Sequence, residues 1–83
     1  MLVVEERQIQ FFSKPGCHLC EEVDAVLARL AGEFRLRIER RNIMEDIADY
    51  EAFKNDVPVL FLDGRRLERE ELQPDALLSR IKG

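Results

Sequence analysis

The sequence has little cysteine, a single histidine, no surplus of positive charge and no long apolar run, and each shortage closes off a class of function. Its 83 residues hold two cysteines, too few for the several bridges that support small secreted domains with thin cores. The one histidine leaves Cys17, His18 and Cys20 as the only cysteine and histidine ligands. A structural zinc site needs four ligands, and His18 lies too close to both cysteines to share the metal comfortably. Lys and Arg number 13 against 17 Asp and Glu, a net charge of -4. That balance counts against nucleic acid, whose binding is dominated by phosphate neutralisation. No apolar stretch approaches the roughly 20 residues that span a bilayer. Met1-Leu2-Val3-Val4 is closed off at once by Glu5-Glu6-Arg7, which reads as no signal peptide, no anchor and no membrane partner. Repeats, low-complexity stretches and linkers are missing too, so one domain over residues 1–83 is expected, with about 60–65% of its unfolded surface buried.

What remains is a segmental pattern in a chain that is 46% hydrophobic, the composition of a folded globule. Residues 1–7 read as a lead-in that adds to a sheet edge. Residues 8–12 read as a short aromatic strand stopped by Pro15-Gly16. Val23, Val26, Leu27, Leu30 and Ala31 recur at spacings of three and four, predicting a helix over residues 17–31 that Gly32 ends. Phe34, Leu36 and Ile38 alternate with charged residues, so 34–40 is a half-exposed strand whose Arg35 and Arg37 face water. Asn42 caps a second helix marked by Ile43, Ile47, Tyr50 and Phe53, with Glu45 and Asp46 in its first turn and Asn55-Asp56 as its break.

The continuous apolar run 57–62 is a strand covered on both faces, with proline tolerated only at its start. Asp63-Gly64 is a hairpin signal that folds 65–68 back antiparallel. Pro74 opens a last helix over 74–82 with Leu77, Leu78 and Ile81 on one face. The order strand, helix, strand, helix, strand, strand, helix makes the first two strands parallel and the last two antiparallel. An α/β fold follows: a four-stranded mixed sheet with helices on both faces.

The chemistry concentrates in Ser13-Lys14-Pro15-Gly16-Cys17-His18-Leu19-Cys20. A loop that ends a strand and starts a helix at a cysteine places that sulfur near unpaired N–H groups carrying roughly half a positive charge, which favours the thiolate. Lys14 and a protonated His18 push the same way, and Glu21, Glu22 and Asp24 push back. A free cysteine of pKa about 8.5 is only about 3% thiolate at pH 7, whereas one lowered to about 7 is half ionised. The plain alternatives are two small hydrophobes that merely pack, and for His18 a solvent-facing side chain in a first helical turn.

With these motifs in place the chain resembles the thioredoxin superfamily, and within it the short glutaredoxin-like proteins. The residues that carry the resemblance are Phe12 to Cys20, Asp56-Val57-Pro58 and Asp63-Gly64, spread over about residues 8–82. The resemblance implies a thioredoxin-like fold and thiol–disulfide oxidoreductase activity. Cys17 takes the place of the nucleophile, Cys20 that of the resolving cysteine, and Pro58 that of a cis-proline facing the pair. Val57 offers its backbone to a bound thiol or peptide, and Lys14 matches a lysine near a glutathione carboxylate. The segment Asp63-Gly64-Arg65-Arg66-Leu67-Glu68 departs from the family pattern, having no second glycine and no evident helix start.

The expected function is therefore reduction of protein or glutathione mixed disulfides through the Cys17/Cys20 pair. The candidate substrate-binding residues are Lys14, His18, Val57 and Pro58. No bound cofactor is expected, glutathione or a reductase supplies electrons, and the chain acts as a monomer in the cytoplasm. The alternative is a non-catalytic binding module that docks a partner at the Val57-Pro58 groove.

Overall fold

A computed structural model describes residues 6–83; the lead-in expected at residues 1–7 lies outside the described residues up to position 5. The first strand begins earlier than the aromatic pattern indicates. β1 spans Arg7–Ser13, and β2 (Leu36–Asn42) pairs with it in parallel from Arg7 opposite Leu36 to Ser13 opposite Asn42. β3 (Val59–Leu62) lies antiparallel on the other side of β1, and β4 (Arg65–Arg66) closes the sheet in the order β2-β1-β3-β4. The expected mixed four-stranded sheet is thus realised, with the parallel pair joined by α1 (His18–Ala31).

Two apolar clusters occupy opposite faces of the sheet. On one face, Ile9, Phe11, Leu60 and Leu62 pack against Val23, Leu27 and Leu30 of α1 and against Leu77 and Ile81 of α3, which spans Pro74–Lys82 as its pattern indicates. On the other face Phe12, Ile43 and Val59 are buried, and Phe53 and Phe61 pack against them. The three rings form a tilted and edge-to-face group, Phe12 to Phe53 being 4.6 Å between centroids, a favourable arrangement of aromatic quadrupoles. Alternation along β1 divides the work: Ile9 and Phe11 point to the larger cluster and Phe12 to the smaller.

The second helix differs from the expectation. Asn42 does act as a cap, its side-chain oxygen accepting from the Met44 N–H at 2.9 Å, but it caps only a 3-10 turn, Ile43–Glu45. Asp46 then caps a separate α2 (Ile47–Phe53) by accepting from the Asp49 N–H at 2.9 Å. Two strong N-cap residues four positions apart each stop the chain and restart it. Ile47 consequently sits in the first helical position at 84% exposure rather than facing inward.

The hairpin also departs from expectation. β3 begins at Val59, because Val57-Pro58 is a separate cis-proline turn, and β4 ends at Arg66 rather than at residue 68. After Leu67, Glu68 and Glu71 form a reciprocal capping box that starts a 3-10 turn over Arg69–Leu72. A 3-10 turn thus starts just past this segment, with Glu68 as its cap and the spacing of two glutamates as its signal.

Asp63 and Gly64 have φ of 49° and 86°, the positive values that a two-residue hairpin turn demands and that Asp and Gly tolerate. Asp63 ties the turn to β1: its carboxylate accepts from the Gln8 N–H at 2.8 Å and from Arg7 Nε at 2.6 Å. Arg7 in turn donates to the Ile81 carbonyl at 2.6 Å, joining the C-terminal end of α3. The Gln8 N–H, followed by Arg7, holds the Asp63 carboxyl below its ordinary range against a smaller opposing effect of burial. A carboxyl depressed in the folded state stabilises above its unfolded pKa of about 3.9, and loses that contribution as pH falls through the lower folded value. Asp63→Asn is therefore expected to flatten the acid limb of stability below about pH 4. Urea midpoints measured across that range check it; an acid limb as steep as the parent's would show that this carboxyl is not the group titrating.

Candidate functional site

Gly16, at φ 78°, turns the chain between Pro15 and Cys17 with nothing within 4 Å of where its Cβ would lie. The turn delivers Cys17 in extended conformation as the N-cap of α1, one residue before the first helical position, so the helix starts one residue later than its pattern predicts. Cys17 and Cys20 are joined as a disulfide with Cα atoms 5.2 Å apart. One helical turn sets that separation, and it lies within the range a disulfide accepts.

The two sulfurs have different surroundings. Cys20 is 3% exposed and belongs to the larger cluster with Phe11 and Val23, whereas Cys17 is half-buried at the edge of that cluster. The Cys20 backbone N–H donates to the Cys17 sulfur at 3.1 Å, and the Glu21 N–H donates to the Cys17 carbonyl at 3.1 Å. A sulfur thus takes the cap position usually held by an oxygen, at the positive end of a 14-residue helix.

The other candidate residues are distributed around this pair. Lys14 and Pro15 line two concavities: one that reaches Cys20, Asp24, Arg40 and Asn42, and one shared with Met44, Tyr50, Lys54 and Asn55. Val57 packs on both apolar clusters, including the larger one at whose edge Cys17 lies. Pro58 is buried after a cis peptide bond, as the resemblance implies. The Val57 N–H donates to the Phe53 carbonyl at 3.2 Å, so a target backbone running past Val57 meets a donor already engaged. His18 stands apart: its side chain is 83% exposed and lies 3.6 Å from Glu22 one turn along. That is the solvent-facing position of the plain alternative, on the outer side of α1.

Three arginines near the site are engaged by carboxylates. Arg40 and Asp24 form an ion pair at 2.6 Å beside the cavity that reaches Cys20. Arg41 bridges Asp49 at 2.9 Å and lies 5.8 Å from the Phe12 ring, and Arg66 joins Asp56 at 3.6 Å and lies 5.7 Å from the Phe53 ring. These guanidinium groups hold α2 and the segment before Pro58 against the sheet. Arg35 and Arg37 stay in water as their alternation indicates. Among the described residues no three His, Cys, Asp or Glu side chains come together to hold a metal ion, and no helix is long and apolar enough to cross a membrane.

Comparison with known proteins agrees with this geometry. Residues 8–82 match the family model described as Glutaredoxin-like domain (DUF836). The chain is 33% identical over 75 residues to the glutaredoxin-like protein YDR286C homolog of Dictyostelium discoideum, covering 83% of this chain and 69% of that one. The solution structure of protein Ne2328 from Nitrosomonas europaea superposes with a TM-score of 0.74 at 29% identity, over 98% of both chains. A mutant thioredoxin of Halobacterium salinarum gives 0.67 at 28% identity, over 92% of this chain and 72% of that one. Mitochondrial thioredoxin 3 of Saccharomyces cerevisiae in its oxidized form gives 0.68 at 20% identity, over 92% and 76%, a likeness of fold alone. A Cys-x-x-Cys pair closed at a helix start, in a thioredoxin-like fold, fits a redox thiol protein, and the chain belongs to the glutaredoxin-like family.

Proposed function

We propose that this chain is a small dithiol–disulfide oxidoreductase that reduces disulfides in proteins, or mixed disulfides with glutathione. The observation that carries the proposal is the Cys17–Cys20 bond at the start of α1, with the Cys20 N–H on the Cys17 sulfur and Cys20 itself buried. That asymmetry divides the roles. Cys17 is the less buried residue, whose sulfur a second molecule can approach, and Cys20 is buried one helical turn behind it.

In the reduced protein the same N–H and the helix N-terminus stabilise a Cys17 thiolate. The thiolate attacks one sulfur of the target disulfide, forms a Cys17–target disulfide, and expels the other target sulfur as a thiolate. Cys20, deprotonated in turn, attacks the Cys17 sulfur, closes the Cys17–Cys20 bond and releases the second target thiolate. Two electrons pass to the target, and an external thiol, glutathione or a reductase, restores the dithiol. The chemistry needs no bound cofactor. Val57 and Pro58 border the docking edge, with Lys14 supplying a cation beside it. The working form in this proposal is a cytoplasmic monomer.

Cys20→Ser tests the proposal, because it leaves Cys17 able to attack and removes the group that releases the product. Incubated with cell extract and analysed whole by mass spectrometry, it is expected to carry either glutathione or target proteins on Cys17. A variant that accumulates no adduct on Cys17 would exclude the mechanism.

A further inference from the structure

Beside the Cys17 loop, Lys14 and Pro15 enclose a concavity of about 470 Å³ with Met44, Tyr50, Lys54 and Asn55. Its apolar side chains stand open to water: Met44 is 59% exposed and Tyr50 37%, with Ile47 nearby in the chain at 84%. Two ammonium groups border it. Lys54 lies 5.7 Å from the Tyr50 ring and 3.4 Å from Glu51. Lys14 makes no ion pair among the described residues, whereas Arg40 and Arg41 are engaged by Asp24 and Asp49. Lys14 also lines the cavity that reaches Cys20, so the concavity and the redox pair share a wall.

The geometry points to this concavity as the seat of the target polypeptide: a segment with acidic side chains and one apolar side chain flanking the cysteine that bonds to Cys17. The inference rests on the oxidoreductase reading above and names its substrate class. A mixed disulfide places the two cysteine Cα atoms about 5.5 Å apart. Each further residue of an extended target advances about 3.3 Å, and Lys14 and Pro15 belong to the same loop as Cys17, so residues flanking the target cysteine come within reach of their wall. Flanking carboxylates there meet Lys14 and Lys54, and an apolar neighbour covers Met44 and Tyr50. The whole chain carries -4 and repels an acidic segment at large, so the preference arises from contacts within a Debye length, about 10 Å, of these two lysines.

The test uses the Cys20→Ser protein and three probes in which thionitrobenzoate is the leaving group: a cysteine peptide flanked by aspartates and a leucine, the same peptide with asparagines, and glutathione. Cys17 thiolate attacks the peptide or glutathione sulfur, that disulfide forms, and thionitrobenzoate departs as a coloured thiolate. Two surface ion pairs together should make the acidic peptide about tenfold faster than its asparagine counterpart at low salt. The ratio is expected to fall below about twofold in Lys14→Gln/Lys54→Gln, and in the unsubstituted surface at about 0.5 M salt. Replacing the peptide's leucine by serine should slow reaction with Met44 present and not in Met44→Ser. Equal rates for the two peptides, or a ratio that survives the double substitution, would overturn the inference. A lysine dependence seen only with glutathione would overturn it as well, assigning the cations to the small thiol. If none of the three probes reacted at Cys17, the oxidoreductase reading itself would fall, a result distinct from loss of the ratio alone.

Discussion

Cys17→Ser is expected to abolish disulfide reduction, with a loss of about a thousandfold or more in rate, while leaving the fold intact. The hydroxyl that replaces the thiol is not ionised near neutral pH and cannot exchange with a sulfur. The remaining cysteine offers no substitute, because Cys20 is 3% exposed and packed among Phe11 and Val23. The local structure should survive, since serine is a strong N-cap residue and can accept the Cys20 N–H in place of sulfur. Reduction of a protein disulfide driven by an external dithiol measures the effect, with far-ultraviolet circular dichroism as the control for folding. Unchanged turnover in a folded Cys17→Ser protein would place the chemistry elsewhere, and the weight would move to a binding module at Val57-Pro58.

The second large effect is on stability. Leu27→Ala is expected to cost about 3 kcal/mol, equivalent to a fall in Tm of about 12–24 °C for a domain of this size. Leu27 is 0% exposed, on the inner face of α1 one turn before Leu30 and one turn after Val23, in the cluster that also holds Leu77 of α3. Truncating it opens a cavity where helix and sheet meet, and the neighbours come from three elements that cannot all collapse into it. A chain of this length has roughly 4–12 kcal/mol of total stability, so the variant would be markedly weakened. Ile47→Ala, on a side chain 84% exposed, is expected to change stability by no more than about 0.5 kcal/mol. Urea denaturation of both variants reads the contrast. A cost for Leu27→Ala no larger than for Ile47→Ala would mean that α1 does not dock as described.

These two expectations meet in α1. The helix is anchored by Val23, Leu27 and Leu30, and the same anchoring holds Cys20 in the core and Cys17 at the rim. Packing energy one or two turns away therefore maintains the difference in exposure between Cys17 and Cys20.

Much of this was legible in the residues alone. Period-two and period-three-to-four apolar spacing located β2, α1 and α3 to within two residues, because each of these elements buries one face and its pattern records which. The loop Pro15-Gly16 ahead of Cys17-x-x-Cys20 placed the two cysteines at a helix start, where the structure joins them as a disulfide. The misreadings fall where local signals compete. Asn42 and Asp46 are both good caps, and nothing local to the chain says that the first ends after a single turn. The capping box of Glu68 and Glu71 depends on side-chain contacts to backbone that spacing alone does not settle.

What tertiary structure alone decided is which residues from distant parts of the chain come together. Lys14 lines one concavity with Tyr50 and Lys54, Arg40 meets Asp24, and Asp63 fastens the hairpin to Arg7 and Gln8. Each of these contacts depends on the crossing of elements and on strand register, which the sheet order sets. Periodicity determines the face a side chain takes, because it is a property of one element; neighbours across elements depend on the relative placement of two, and that is a property of the packed whole.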